Sequence, residues 1–168
     1  MKIEVIHKFP DELRSKGYAI AATSNWGFTP LWSLARELYR FDIDEIIKDA
    51  IEKMPLNGIN SILEVSPKLF LVEKSKDPVR MQFLAKELVS TADQLTVEHL
   101  VIDSFRMLST KIKADVLIPV MKAFVGIETK NLKKIYIFVE KKNFSIAVHA
   151  LAEIYPEIDP YRYLQENY

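Results

Sequence analysis

The sequence predicts an α/β protein: three layers, α/β/α, around a mixed, mostly parallel central sheet of about six strands. Three observations carry that prediction. Short apolar runs alternate along the chain with segments whose apolar residues recur at helical spacing. Several runs, among them YAIAA, HLVID and IYIFV, are apolar at successive positions, as strands covered on both faces are. The chain has 168 residues, 49% hydrophobic and 27% charged, which suffices for one well-filled core.

The elements follow in order. Lys2–Ile6 reads as a first strand, punctuated by Phe9, Pro10 and Asp11. Asp11–Lys16 reads as a helical turn ended by Gly17, and Tyr18–Ala22 as a buried strand. After the turn-rich stretch Thr23–Pro30, Thr29 and Pro30 suit a helix start. Leu31, Leu34, Ala35, Leu38 and Tyr39 then share one face, and Ile43, Ile46, Ile47, Ala50, Ile51 and Met54 keep helical spacing until Pro55, Asn57 and Gly58. Ser61–Val65 and Leu69–Val72 are spaced as a hairpin.

Behind Asp77 and Pro78, the stripe Met81, Leu84, Ala85, Leu88, Ala92 and Leu95 marks the clearest helix. His99–Asp103 is a buried strand, and Ala114–Val125 a helix that Pro119 must kink unless it sits near the start. Ile135–Val139 is the strongest strand, followed by a helix for which Asn143 is a candidate cap. Residues 1–155 are expected to form a single domain. Residues 156–168 are expected to form an aromatic tail packed on it or on a partner. The order β-α-β-α-β-β-α-β-α-β-α, with right-handed crossovers, brings the loops Thr23–Pro30 and Phe105–Lys113 to one edge, at the carboxyl ends of the strands.

Composition narrows the function. Lys+Arg and Asp+Glu are 23 each, so the net charge is zero, which argues against a general nucleic-acid binder. No cysteine occurs, and His7, His99 and His149 stand in no metal-binding spacing, so neither a metal nor a cofactor is expected. Four glycines, Gly17, Gly27, Gly58 and Gly126, form neither GxGxxG nor GxxxxGK[ST]. No apolar stretch approaches the roughly 18–20 residues of a membrane span, and MKIEVIHKFPDEL is too polar for a signal peptide. A cytoplasmic protein is the expectation. Absent cysteine, three glutamines and abundant Ile, Lys and Glu lean toward a thermophile.

Two segments carry a family resemblance. Ala19–Asn25 reads AIAATSN, and Phe105–Ile112 reads FRMLSTKI. With the element order and the closing LKKIYIFVEKKNFSIAVHAL, the chain resembles a divergent macro domain, the ADP-ribose-binding module, over roughly residues 1–155. In that family the first segment has the form AIVNAAN, so Asn25 falls on its last asparagine. The second has the form FPALSTGIYG, which Phe105, Leu108, Ser109, Thr110 and Ile112 match in register. Lys111 and Ala114 stand where the family has glycines. Such glycines let backbone N–H groups approach a diphosphate; a lysine offers charge by a different geometry. HKFP follows the first strand in place of Gly-Asp-Ile-Thr, which leaves Asp11 as a displaced acid.

The resemblance implies a ligand site drawn from Asn25, Trp26, Gly27, Phe28, Arg106, Ser109, Thr110, Lys111 and Phe144. Each has a plainer reading. Asn25 either orients a ribose or makes an Asx-turn. Ser109, Thr110 and Lys111 line an anion site or cap the next helix. Trp26, Phe28 and Trp32 stack on a base, plug the cleft, or form a partner surface. Phe144 is core or adenine platform, and Arg106 meets an anion or solvent. His99 and His149 read as hydrogen-bonded structural histidines, and His7 as the best titrating candidate. Asp103 either reaches the sheet edge or pairs with a base such as Arg106. Lys130, Lys133, Lys134, Lys141 and Lys142 read as a solvated rim or a phosphate-facing patch.

The functional expectation is a binding module for ADP-ribose or a related nucleotide, with a degenerate site and no assigned catalytic residue. The alternative is a scaffold that has lost the nucleotide and acts through protein contacts, a homo-oligomer joined through the aromatic loop or the tail being one form of it. A hydrolase acting on ADP-ribose derivatives ranks below both. The amino-terminal domain of leucyl aminopeptidases resembles macro domains and serves without the usual nucleotide role.

Overall fold

The computed structural model describes residues 1–23, 58–62, 68–73, 75–103 and 112–168. Among the described residues there are six strands, β1 (Lys2–Ile6), β2 (Ala19–Thr23), β3 (Ile59–Ile62), β4 (Lys68–Val72), β5 (His99–Asp103) and β6 (Lys134–Phe138). They form one sheet in the order β1-β6-β5-β2-β4-β3. Every pairing is parallel except β3 with β4, where Ile59 faces Val72 and Ile62 faces Leu69. The described helices are α1 (Asp11–Lys16), α2 (Pro78–Gln94), α3 (Ala114–Val125), α4 (Phe144–Ile154) and α5 (Pro160–Asn167). The two helical segments expected between residues 31 and 54 lie outside the described residues.

Period-two alternation assigns each strand residue to a face. Ile3, Val5, Ala19, Ala21, Phe70, Leu100, Ile102, Ile135 and Ile137 share one face, cross-strand neighbours by register. They are buried in one cluster with Leu84 and Leu88 of α2, Leu117, Met121 and Phe124 of α3, and Ala147 and Leu151 of α4. The opposite face carries Ile6, Ile20, Leu71, Val101, Tyr136 and Phe138, all buried, and Leu13 of α1 is buried as well. Two buried faces explain why these strands read as continuous apolar runs.

Local chemistry fixes several ends. Asp77 caps α2 by accepting from the Val79 N–H, with Pro78 in the first turn. At the other end of α2, the Thr96 N–H donates to Asp93 O and the Val97 N–H to Ala92 O. This is a Schellman closure, and Thr96 has φ 59°, in the left-handed region a glycine would take without strain. The Asp93 carboxylate accepts backbone N–H bonds from Lys130, Asn131 and Leu132, tying the end of α2 to the approach to β6. Those donors, Leu132 first and then Asn131, hold its carboxyl below the ordinary value against the opposing effect of burial.

Four strands differ in their bounds from the sequence reading, β4 by starting at Lys68 rather than Leu69. β3 begins at Ile59 rather than Ser61, because Gly58, with φ 80°, turns the chain straight into the ladder. Residues 63–67 lie outside the described residues. β2 and β6 are each displaced by one residue. Lys134 is drawn into β6 by pairing with Lys2 and His99 and by an ion pair from its Nζ to Glu4 at 2.6 Å. Asn143 occupies the cap position of α4 but makes no side-chain capping bond, because a 3₁₀ turn, Lys141–Asn143, already leads into the helix. Pro119 sits in the middle of α3.

The closing segment covers the free edge of β1. Tyr155 accepts a hydrogen bond from the Ile3 N–H at 3.0 Å, and Tyr163 donates one to the Val5 carbonyl at 2.9 Å. Ile3 and Val5 point these groups away from β6, so the two hydroxyls satisfy an edge that would otherwise invite another strand. The helix α5 is capped by Asp159, which accepts from the N–H groups of Tyr161 and Arg162.

Candidate functional site

Strand order locates the crevice. From β2 the chain proceeds to β3 and β4 on one side, and from β5 it proceeds to β6 on the other. Adjacent parallel strands whose connections diverge leave a gap at their carboxyl ends, where α/β proteins bind ligands. Register sets Ala21 beside Ile102, so Thr23 and Asp103 end almost level. Thr23, which precedes the segment of Asn25, Trp26, Gly27 and Phe28, and Asp103, which precedes that of Arg106, Ser109, Thr110 and Lys111, therefore end side by side. Those eight residues, and Trp32, lie outside the described residues. α3 starts at this same edge, and a helix N-terminus favours negative charge.

The next two strands along this edge, β6 and β1, end in an aromatic and cationic group. His7 follows β1, and Lys141 and Phe144 follow β6. The His7 and Phe144 ring centroids lie 4.5 Å apart, edge to face. Tyr168 completes the group, 5.8 Å from His7 and 6.3 Å from Phe144, with the Lys141 Nζ 4.5 Å from its ring centroid. Tyr163 reaches Phe144 at 6.2 Å, and the His7 Nε2 meets the Asn167 carbonyl at 2.9 Å. Phe144 has no exposed surface in this arrangement. At about 4.8 Å per strand, the group stands roughly 5–10 Å along the edge from the end of β5.

Other flagged residues fall elsewhere. Asp103 ends β5, fully buried, on the sheet face opposite α2, α3 and α4. His99 opens β5 at the amino edge, and its Nδ1 is buried without a hydrogen-bond partner among the described residues. Burial, foremost, pushes its pKa down. His149 is exposed on α4, its ring 5.6 Å from Tyr161. Among the described residues, neither histidine thus shows the side-chain hydrogen bonding expected of it. The lysines do not make one patch: Lys133 and Lys134 sit at the amino edge, paired with Glu98 and Glu4, while Lys141 and Lys142 sit at the carboxyl edge. Among the described residues no group of His, Asp or Glu could hold a metal ion, and no helix is long and apolar enough to cross a membrane.

The sequence reading overlooked Lys141 and Tyr168 as neighbours of His7 and Phe144. Asp159-Pro160 was the available signal: a cap followed by proline starts a helix, and that helix returns Tyr168 to the end of β1.

No family model and no curated protein matches the chain. Solved structures do. The macro domain of ganglioside induced differentiation associated protein 2 superposes with a TM-score of 0.64 at 12% identity, over 92% of this chain and 84% of that one. An Oceanobacillus iheyensis macrodomain solved with ADP gives 0.62 at 10% identity, over 93% of both chains. A glycine-to-valine mutant of the Oceanobacillus macrodomain, solved with ADPR, gives 0.57 at 10% identity, over 92% of this chain and 94% of that one. A mutant of tomato leucine aminopeptidase gives 0.51 at 14% identity, over 92% of this chain but 37% of that one. The chain therefore has the macro-domain fold, in a divergent sequence.

Proposed function

We propose that the chain binds ADP-ribose, or a nucleotide like it, along the carboxyl edge of its sheet. The observation that carries this reading is the divergence of chain direction between β2 and β5, from whose level ends the two family-like segments depart. In this reading Asn25 orients a ribose, and Trp26 and Phe28 offer aromatic faces. Ser109, Thr110 and Lys111 meet the diphosphate at the start of α3, where Lys111 supplies by charge what a glycine loop supplies by backbone N–H groups. Arg106 adds a second cation, and the base lies toward Phe144. The Oceanobacillus macrodomain, of like fold, is solved with ADP and ADPR, which supports a ligand of this class.

Thermal unfolding with ADP-ribose, AMP and NAD tests the reading. A ligand at a hundred times its Kd adds about 2.7 kcal/mol, or about 5–10 °C for a chain of this length. Asn25→Ala and Lys111→Ala should reduce the shift. No shift at millimolar nucleotide defeats the reading. It would favour a scaffold working through protein contacts, for which the complete burial of Phe144 is the relevant observation.

A further inference from the structure

We propose that the last turn of α5 and Tyr168 form a displaceable strap, whose tyrosine ring occupies the notch of His7, Phe144 and Lys141 and competes there with the planar base of a nucleotide. The inference rests on the binding reading above and adds regulation to it.

The notch has the chemistry of a ring-binding site. His7 and Phe144 present aromatic surfaces, and Lys141 places its Nζ 4.5 Å from the centroid of the ring already seated there. Its own tyrosine is thus a stand-in for a planar ligand. The notch lies on the same carboxyl edge as the β2–β5 crevice, within the reach of one nucleotide.

The occupant is lightly held. Tyr168 is 62% exposed, and α5 has no buried residue. The anchor of the helix is farther back, at the Tyr163 hydroxyl on Val5, with Tyr163 and Leu164 packed against the core. Beyond that anchor the last turn is tied down by the His7 contact to the Asn167 carbonyl and by the Tyr168 ring. Few buried contacts and an exposed backbone place a segment at the low end of local stability. Lifting it removes the ring that stands 5.8 Å from His7 and 6.3 Å from Phe144, and leaves Tyr163 in place.

Titration calorimetry of the full chain decides the matter, with wild type, Tyr168→Ala and Tyr168→Phe, and ADP-ribose, AMP and ribose 5-phosphate as probes. A strap closed nine-tenths of the time weakens apparent affinity about tenfold. Tyr168→Ala should therefore bind ADP-ribose and AMP about tenfold more tightly and leave ribose 5-phosphate unchanged. Tyr168→Phe, which keeps the ring, should match wild type. In wild type, ADP-ribose should speed amide exchange at residues 165–168. Equal affinities with unchanged exchange overturn the strap and leave the binding reading standing. Weaker binding by Tyr168→Ala makes the ring a ligand contact and also overturns it. Failure of every probe to bind wild type and both variants removes both.

Discussion

The tyrosine caps on β1 give the sharpest structural prediction. Tyr163→Phe deletes one hydroxyl and nothing else, and leaves the Val5 carbonyl without its 2.9 Å donor. Val5 is 1% exposed, so water reaches the carbonyl poorly. An ordinary hydrogen bond is worth about 0.5–1.5 kcal/mol net, and a buried group left unmet costs about 1–3 kcal/mol. The expected loss is about 1.5 kcal/mol, or about 3–6 °C in Tm. Urea denaturation followed by circular dichroism measures it.

The pH dependence supplies an internal check. Burial, foremost, and then the Glu4 charge push the Tyr163 hydroxyl up to about 12. A folded-state pKa above the unfolded one stabilises fully below the unfolded value, near 10, and loses that contribution as pH rises through the folded value. The stability gap between wild type and Tyr163→Phe should therefore narrow between pH 10 and 12. A variant as stable as wild type at pH 7, or a gap that widens above pH 10, would refute the assignment of this hydroxyl to the edge of β1.

Other predictions follow from single residues. Thr96→Gly removes a β-branched side chain from φ 59°, costing about 1–2 kcal/mol in strain, against about 0.5–1 kcal/mol of added unfolded-state entropy. A net gain of about 0.5–1 kcal/mol in urea denaturation is expected. Glu73 accepts from Arg80 Nε at 2.8 Å, Arg80 Nη2 at 2.7 Å and the Gly58 N–H at 3.0 Å. Arg80, foremost, holds its carboxyl down at about 2. A lowered folded-state pKa stabilises above the unfolded value and is lost as pH falls through the folded one. Stability of wild type should drop between pH 4.5 and 2, and Glu73→Gln should flatten that limb. Asp93→Ala should lower the urea midpoint at pH 7, and lower it less as pH falls, because the N–H groups of residues 130–132 then lose only a neutralising carboxyl.

Much of the fold was legible because apolar pattern and punctuation agreed. Lys2–Ile6, Asp11–Lys16, His99–Asp103 and Ala114–Val125 have the same bounds in sequence reading and structure. Where tertiary contacts decide, the sequence misled. Lys134 reads as polar, yet an ion pair to Glu4 and ladder bonds carry it into β6. Asn143 has the chemistry of a cap, but the preceding 3₁₀ turn supplies the backbone geometry instead. Thr96 closes a helix in the conformation of a glycine, which no propensity scale indicates.

The site was less legible. Asn25 and Lys111 were singled out by motif likeness alone, and the strand order sets β2 and β5, the strands that precede their segments, side by side. The cluster of His7, Lys141, Phe144 and Tyr168 joins residues up to 161 positions apart, and only the return of α5 to β1 brings them together.

Amide hydrogen exchange of the full chain with saturating ADP-ribose tests the central claim most directly. The account predicts slowed exchange in peptides leaving Thr23 and Asp103 and at the first turn of α3, with the amino edge around Lys16, His99 and Lys133 unchanged. Slowing confined to the amino edge, or none at any position, would contradict it.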